Sequence, residues 1–386
     1  MTKPILNILS ILKVVIKKKI TPLHEPYFDD REIKSLTACI KSGYVSTVGK
    51  SVNLFEKKIS QLTKSKYCIS TVNGTSAIHL GLLALGVKKN DEVLLPTLGF
   101  VAVPNAISYC GAIPNFVDSE KTTLGINPKK LDEYLKNTTV KRNNKLVNKK
   151  TGRVIKGLIS IHLFGYANNI TKINKVCKKF GIFHFEDASE ALGSYYKNKH
   201  LGTHSDLGCL SFNGNKTITT GGGGMILTNN KSINNFIRHI STTAKVKHPW
   251  ILSHDLIGYN YRMPNLNASL GLAQLSKLKK ILDAKKKLHK IYKEKFQNNE
   301  FFELFPENKD TKSNHWLNTL LIKKNNRKIR DQIFSSLIKK NINCRPTWKL
   351  LHKLPMYKNC PRDNTDEANI LENKIITLPS SPNLII

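Results

Sequence analysis

Acidic residues are scarce in this 386-residue sequence, which has 27 Asp and Glu residues against 62 Lys and Arg residues and a net charge of +35. Such an excess is typical of nucleic-acid-binding proteins, and a basic protein of that class is one alternative. No zinc-finger spacing or RNA-recognition signature accompanies the charge, and lysines occur in every segment, most densely at 136–156 and 275–295. A basic surface equally suits a small anionic substrate. We therefore expect no nucleic-acid partner, although the charge alone does not decide between the two classes.

Closely spaced cysteines and long apolar runs are also missing. The seven cysteines lie far apart without a C-x-x-C pair, which predicts reduced thiols in a cytoplasmic protein and no metal site. No stretch reaches the length of a transmembrane helix, so we expect no stable membrane insertion. Segment 5–20 alternates short apolar runs with lysines and lacks a cleavage site. It predicts a weak amphipathic helix rather than a signal peptide, with contact to a membrane surface as the less favoured alternative.

Strand-like and helix-like segments alternate in the first two thirds of the chain, after two predicted helices at 29–42 and 52–62. The predicted strands are 67–72, 93–96, 113–117, 155–163, 182–185 and 209–212, and the helices between them are 74–85, 101–109 and 170–180. This alternation predicts an α/β fold with a large, mostly parallel sheet and helices on both faces. The Lys- and Asn-rich run 136–153 interrupts it and predicts a solvated surface excursion.

The alternation ends near residue 262. A long helical stretch at 265–296 leads to a smaller α+β part with strands at 317–322 and 342–345 and a helix at 329–338. The predicted division is an N-terminal extension (1–20), a large domain (21–262), and a linking helix with a small C-terminal domain (263–386).

Lys216 stands out because four consecutive glycines, 221–224, follow it closely. Glycines permit positive φ and close approach of the backbone to a ligand, although a glycine run by itself is more typical of a loose surface loop. We interpret Lys216 as a nucleophilic amine that forms a Schiff base with a carbonyl cofactor.

Two other polar groups follow predicted strands, where open α/β sheets bind their ligands. Asn73-Gly74-Thr75-Ser76 opens a helix and suits a phosphate, although any capped helix looks similar. Asp187 follows the strand 182–185 and suits a protonated ring nitrogen, although by spacing alone a simple cap is favoured. A phosphate cradle, an aspartate and the amine of Lys216, with Ser211 as a phosphate contact, together define a pyridoxal phosphate site.

These motifs carry a family resemblance that runs from about residue 21 to 386. The chain resembles the sugar aminotransferases of the DegT/DnrJ/EryC1/StrS family, which have the aspartate-aminotransferase-like fold (fold type I) of pyridoxal-phosphate-dependent transferases. The motifs are Asn73-Gly74-Thr75-Ser76-Ala77, Phe100-Val101-Ala102, His162-Leu163-Phe164-Gly165, Glu186-Asp187-Ala188-Ser189-Glu190-Ala191-Leu192-Gly193, Ser211-Phe212-Asn213-Gly214-Asn215-Lys216 and Gly258-Tyr259-Asn260-Tyr261-Arg262-Met263.

The resemblance implies the catalytic roles. Lys216 would carry the cofactor and then move a proton between the substrate Cα and C4′ of the cofactor. Asp187 would pair with the pyridine nitrogen, and Glu190 would lie near the ring or its phenolic oxygen. Phe100 would stack on the ring face, with a place in the core as its alternative.

The resemblance also implies how the phosphate is held. Gly74, Thr75 and Ser211 would bind it from one subunit, and Asn260 would reach it from the second subunit of a homodimer. The alternative for Asn260 is an ordinary turn residue.

A closer resemblance is to the UDP-sugar 4-aminotransferases of legionaminic acid biosynthesis. It rests on Pro22-Leu23-His24-Glu25-Pro26, Gly43-Tyr44-Val45-Ser46-Thr47-Val48-Gly49-Lys50, Thr242-Thr243-Ala244-Lys245, Arg345-Pro346-Thr347-Trp348, Leu354-Pro355-Met356-Tyr357 and the stretch 211–224. It implies amino transfer from glutamate to UDP-4-keto-6-deoxy-N-acetylglucosamine. The alternative is another nucleotide keto sugar, including a 3-keto sugar. A sugar dehydratase is disfavoured, because such relatives have histidine in place of Lys216.

Two residues of the small domain, His315 and Arg345, are predicted substrate contacts, although a structural role is equally compatible with each. The planar guanidinium of Arg345 suits a diphosphate or a carboxylate. The chain stops at Ile386, where the resemblance implies a further short helix, so we expect a shortened small domain.

Overall fold

The computed structural model describes residues 2–16 and 20–386, and its strands fall into one large sheet and three small ones. The strands are β1 (Tyr67–Thr71), β2 (Glu92–Pro96), β3 (Ile113–Val117), β4 (Thr139–Arg142), β5 (Lys145–Asn148), β6 (Ile155–Ile161), β7 (Phe183–Asp187), β8 (Tyr195–Tyr196), β9 (Lys199–His200), β10 (Leu207–Ser211), β11 (Gly224–Thr228), β12 (Phe302–Leu304), β13 (Thr311–Lys312), β14 (Asn318–Ile322) and β15 (Ile375–Leu378).

The helices connect and cover these strands. They are α1 (Lys3–Val15), α2 (Asp30–Lys41), α3 (Lys50–Thr63), α4 (Gly74–Ala84), α5 (Ala102–Tyr109), α6 (Pro128–Thr138), α7 (Ile170–Phe180), α8 (Lys231–Ile240), α9 (Asn265–Ser276), α10 (Leu278–Lys295), α11 (Arg327–Ile338) and α12 (Asp366–Lys374). Single 3₁₀ turns occur at Leu163–Gly165, Leu351–Lys353, Pro355–Tyr357 and Pro382–Leu384.

The large sheet has the strand order β1-β11-β10-β7-β6-β2-β3, and all its neighbours are parallel except those of β11. Helices cover both of its faces. In β2, Val93 and Leu95 join the core that contains Ile107 of α5, whereas Leu94 joins the core that contains Leu131 of α6. Successive side chains of a strand point to opposite faces, which explains this division. The predicted mostly parallel α/β fold is confirmed.

The predicted helix at 265–296 is two helices, α9 and α10, because the chain breaks at Lys277. The Lys277 side chain is 1% exposed, and its amine lies 2.7 Å from the carboxylate of Glu32 and 3.3 Å from that of Asp29. A buried ammonium needs such partners, so the backbone turns to deliver the amine to the start of α2.

The prediction of a strand at 342–345 is wrong. The second sheet has the order β12-β14-β15, and its third strand comes from Ile375–Leu378. Ile342 and Arg345 make only isolated bridges, to Thr21 and Thr377. Pro346 follows Arg345 directly and lacks the N–H that a continuing ladder requires.

The run 136–153 is more ordered than a solvated excursion. It contains the hairpin β4–β5, and Leu146 and Val147 of β5 are buried. Asn143 and Asn144 turn the hairpin with φ of 48° and 58°. Positive φ at both central residues is typical of a tight hairpin turn, and asparagine tolerates it, so this signal was present in the sequence.

The predicted N-terminal helix is present as α1, and residues 17–19 of that prediction lie outside the described residues. The apolar face of α1 packs on the second sheet and its helices. Ile8 and Leu12 share a buried cluster with Leu288 of α10 and Phe334 of α11. The predicted extension is therefore part of a folded core.

No helix in the described residues is long and apolar enough to cross a membrane. All seven cysteines are free, and five of them are buried. No cluster of potential metal ligands occurs in the part of the chain that the structure describes.

We expect Ile8→Ala to lower the free energy of unfolding by about 2–5 kcal/mol, because Ile8 is fully buried and truncation leaves a cavity. Leu6 of the same helix is 54% exposed, so Leu6→Ala serves as the control with a change within about 0.5 kcal/mol. Denaturant titration measures both. Equal stability of the two variants would contradict the packing of α1.

Candidate functional site

The candidate site lies where β7 and β10 end. Asp187 is the last residue of β7 and Ser211 the last residue of β10. The two strands are parallel neighbours, with Cys209 paired to Asp187 in register. Because parallel strands end at the same edge of a sheet, this pairing places the two side chains on one edge, beside the start of α4.

The start of α4 presents free backbone donors at this edge. Asn73 caps the helix, and its side-chain oxygen accepts from the N–H of Ser76 at 2.8 Å. Gly74 and Thr75 are the first two helical residues, so their N–H groups have no acceptor within the helix. Such groups, aligned with the helix dipole, favour an anion.

The hydroxyls of two serines lie close to Gly74 at the start of α4. A Cβ on Gly74 would lie 3.4 Å from Oγ of Ser211 and 3.5 Å from Oγ of Ser189. Glycine therefore keeps open a small gap lined by two hydroxyls and the helix start. Hydroxyls and free N–H groups are the donors that a phosphate requires, and Ser189 is a lining residue that the sequence interpretation did not assign.

Asp187 is buried and oriented by two donors. The N–H of Ser189 donates to Oδ1 at 3.0 Å, and the thiol of Cys209 donates to the same oxygen at 3.4 Å. Both hydrogen bonds end on Oδ1, so they fix the carboxylate without using Oδ2. Burial and the charge of Asp187 raise the pKa of the Cys209 thiol well above its ordinary value, which keeps the thiol protonated as a donor.

Lys216 is largely buried, with its side chain 13% exposed, and its amine has two partners. Nζ lies 3.4 Å from Oε1 of Glu190 and 4.1 Å from the centre of the Trp316 ring. The other carboxylate oxygen of Glu190 accepts from the N–H of Phe164 at 2.7 Å. Burial raises the pKa of Glu190, and the positive charge of Lys216 opposes that rise.

The sequence interpretation missed Asn314 and Trp316, which bring the C-terminal part of the chain to Lys216. The amide of Asn314 donates to the carbonyls of Glu190 and Leu192, each at 2.9 Å. The indole N–H of Trp316 donates to the carbonyl of Asn215 at 2.8 Å. The turn that bears Lys216 and the loop that bears Glu190 are thus fastened to one short segment.

His315, between these two residues, points elsewhere. Its ring stacks on His289 at 3.8 Å, its side chain is 4% exposed, and its Nε2 lies 3.7 Å from the carboxylate of Glu307. A ring buried in this way offers little surface to a substrate. The role of His315 as a substrate contact stays a prediction, whereas its neighbours Asn314 and Trp316 contact the Glu190 loop and the Lys216 turn.

Phe100, Arg345 and Asn260 are the remaining predicted contacts. The ring of Phe100 is half exposed and packs against Trp348 at 5.6 Å, and Arg345 lies exposed three residues before that tryptophan. Asn260 is exposed and forms an isolated bridge with Thr242. The stacking of Phe100 on a cofactor and the reach of Asn260 into a second subunit stay predictions.

Glu186, next to Asp187, organises the chain beneath the site. Its carboxylate accepts from Nε2 of His162 at 3.0 Å, from the N–H of Gly202 at 3.0 Å and from the hydroxyl of Ser205 at 2.9 Å. Burial raises the pKa of Glu186, but the hydrogen bond and charge of His162 lower it more, so the carboxylate stays ionised. It therefore fixes the strand end that carries Asp187.

Together these residues fit pyridoxal phosphate. The gap beside Gly74 suits the phosphate, Oδ2 of Asp187 suits a ring N–H, and Lys216 supplies the amine. Cavity volume does not mark the site: a cavity of about 1130 Å³ between α1 and α11 and one of about 830 Å³ beside Arg262 contain none of these side chains.

Residues 26–385 match the model of the DegT/DnrJ/EryC1/StrS aminotransferase family. The chain is 34% identical over 368 residues to a GDP-perosamine synthase of Escherichia coli O157:H7, covering 95% of this chain and 94% of that protein. It is 32% identical over 333 residues to a UDP-4-amino-4,6-dideoxy-N-acetyl-beta-L-altrosamine transaminase of Campylobacter jejuni, covering 86% and 84%.

Among solved structures, the fold is similar to that of an aminotransferase involved in the biosynthesis of pseudoaminic acid from Helicobacter pylori. The TM-score is 0.85 at 24% identity, and the match covers 94% of each chain.

We expect Ser189→Ala to weaken binding of pyridoxal phosphate roughly tenfold or more, because a hydrogen bond to a charged group contributes about 1.5–3 kcal/mol. Pyridoxal, which lacks the phosphate, is the control ligand, and its affinity is expected to stay unchanged. Absorbance titration of both ligands measures the two affinities. Equal weakening of both would contradict a phosphate contact at Ser189.

Proposed function

The chain belongs to the DegT/DnrJ/EryC1/StrS aminotransferase family and is a pyridoxal-phosphate-dependent sugar aminotransferase, and we propose that glutamate donates the amino group to a nucleoside-diphosphate-linked 4-keto-6-deoxy sugar. The observation that carries the chemistry is the meeting of Lys216, Glu190 and Asp187 at one sheet edge, beside an anion-binding helix start. When bound, the cofactor supplies the carbonyl that accepts an amino group and a ring that stabilises the electron pair released at Cα.

The protein's own residues then have separate tasks. The helix start at Gly74 and Thr75, with the Ser189 and Ser211 hydroxyls, would hold the phosphate. Oδ2 of Asp187 would accept the ring N–H and keep that nitrogen protonated, since a buried carboxylate favours a nearby positive charge.

Lys216 would move the proton. Its Nζ would take the Cα proton of the amino donor, glutamate, and release it at C4′ of the cofactor. Glu190, 3.4 Å away, would hold the amine in place between these two transfers.

The first candidate for the sugar is UDP-4-keto-6-deoxy-N-acetylglucosamine, for a legionaminic-acid-type glycan. It is supported by the motifs shared with that class of UDP-sugar 4-aminotransferases, and a relative of 32% identity carries a UDP-sugar name. A GDP-linked 4-keto-6-deoxy sugar is the second candidate, because a relative of 34% identity is a GDP-perosamine synthase.

Arg345 is the proposed contact to the diphosphate that both candidates share. Arg345 is an exposed residue, and the indole of Trp348, three residues later, packs against Phe100, which lies just before α5. The planar guanidinium of an exposed arginine suits bidentate recognition of phosphate oxygens.

We further propose that a second copy of the chain completes the enzyme. The loop before Asn260 exposes large apolar side chains: Trp250 is 80%, Leu252 75% and Ile257 87% exposed. Several large apolar side chains exposed in one loop are typical of an interaction surface. A second copy is the occupant that the predicted role of Asn260 requires.

A panel of UDP- and GDP-linked keto sugars with glutamate tests the substrate, with mass spectrometry of the amino product as the readout. We expect the UDP-4-keto-6-deoxy sugar to gain the amino group with the highest kcat/KM. Preferential amination of the GDP-linked sugar would favour the second candidate. Amination of no 4-keto sugar would contradict both.

The reacting amine is tested with borohydride. We expect reduction to fix the cofactor covalently on the Lys216 peptide of the yellow wild-type protein, because Lys216 carries the nucleophilic amine. Lys216→Ala should abolish this labelling, and Lys216→Arg is the control that keeps the positive charge. Labelling of another lysine would contradict the assignment.

The homodimer is tested by sedimentation. We expect the wild type to sediment as a dimer and Ile257→Asp to weaken dimerisation at least tenfold, because it places a charge in an apolar contact. Ile338→Asp is the control, since this side chain is 57% exposed on α11, away from the loop. A wild-type monomer would contradict the proposal.

A further inference from the structure

The indole ring of Trp316 lies against the amine of Lys216. Nζ is 4.1 Å from the ring centre, and the Glu190 carboxylate is 3.4 Å from the same atom. The amine is thus held by an anion and by an aromatic face. None of the family motifs quoted above contains Trp316.

The ring is fixed in this position. Its N–H donates to the Asn215 carbonyl at 2.8 Å, and its backbone N–H donates to the side chain of Asn314 at 2.9 Å. Its backbone carbonyl accepts from the buried amine of Lys285 at 3.1 Å, and its ring stacks on Phe164 at 6.5 Å with 27° between the planes. The face that meets the lysine is therefore set before any ligand arrives.

An aromatic face attracts a cation, and the attraction is strongest for tryptophan and for a cation removed from water. Lys216 meets both conditions, since its side chain is only 13% exposed. An amine that accepts the Cα proton of a substrate becomes an ammonium, and it becomes neutral again when it hands that same proton on. A rigid ring beside Nζ stabilises the charged state between these two events.

We propose that Trp316 is a positioning residue that holds the Lys216 amine as an ammonium between its two proton transfers. The inference rests on the proposed function, because it takes Lys216 as the amine that moves the proton. It adds a residue from the C-terminal part of the chain to the machinery of the lysine.

Other charged or titratable groups also face Lys216. Glu190 is its carboxylate partner, and the charge of Asp187 acts on Glu190. Burial lowers the pKa of His24 well below its ordinary value, and the charges of Lys285 and Lys216 lower it further. His24 is therefore neutral near pH 7 and adds no positive charge beside the amine. The anion and the ring remain the groups that favour the ammonium.

The test measures the reactivity of Lys216 in the enzyme loaded with pyridoxamine phosphate, in which the lysine is a free amine. Trace labelling with acetic anhydride across the titration range of lysine, read by mass spectrometry of the Lys216 peptide, gives a midpoint and a plateau. We expect Trp316→Met to lower the midpoint by roughly one pH unit, because the ammonium loses its aromatic partner. Easier access of the reagent would change the plateau and leave the midpoint in place.

Matched variants separate positioning from packing. Trp316→Phe keeps a ring and is expected to restore most of the midpoint. Trp348→Met removes another indole that stacks on Phe164 and should leave the midpoint unchanged. Lys280, whose amine lies 4.6 Å from the centre of the Tyr27 ring, is the internal reference in every digest.

An unchanged midpoint in Trp316→Met would overturn the inference, as would equal shifts in Trp316→Met and Trp348→Met. If Trp316→Met does not fold, Trp316→Leu is a second ring-free variant, and Trp316→Phe still predicts a smaller shift in the same direction. The wild-type assay with keto sugars is independent. Its failure would contradict the proposed function, whereas an unchanged midpoint contradicts only the role of Trp316.

Discussion

The site depends on the way one side chain, Glu190, is held. One of its oxygens accepts from the backbone of Phe164 and the other lies beside the amine of Lys216, while its backbone carbonyl accepts from Asn314. Three stretches that are distant in sequence therefore converge on a single residue. Because the carboxylate is buried, each contact is strengthened by the low local dielectric. The geometry of Lys216 follows from this convergence.

Much of the fold follows from short-range signals in the sequence. The ends of α2 and α7 were predicted to within about a residue, since an aspartate cap and a glycine stop mark them. Asp187 and Ser211 were predicted to lie together because parallel strands end at one edge. A family resemblance then assigned roles to residues that spacing alone leaves open.

The features that the sequence analysis missed depend on contacts between residues far apart in the chain. The break at Lys277 arises because a buried amine reaches Glu32, some 245 positions earlier in the chain. The third strand of the second sheet was misassigned because Pro346 ends the local extended run and a later segment takes its place. Trp316 was missed because its contact with Lys216 joins residues about 100 positions apart. No local pattern in the sequence marks such a pair.

Asn314 and Trp316 join the C-terminal part of the chain to the loops around Lys216. These bonds have a consequence for exchanging that part between relatives. Boundaries between structural units usually fall where few contacts cross from one part to the other. Here the amide of Asn314 and the indole of Trp316 bond to backbone carbonyls, which every sequence possesses. A C-terminal part taken from a relative would therefore keep its position against the Glu190 loop and the Lys216 turn if it kept these two side chains. Residues that take no part in these bonds could then differ while Lys216 keeps its position.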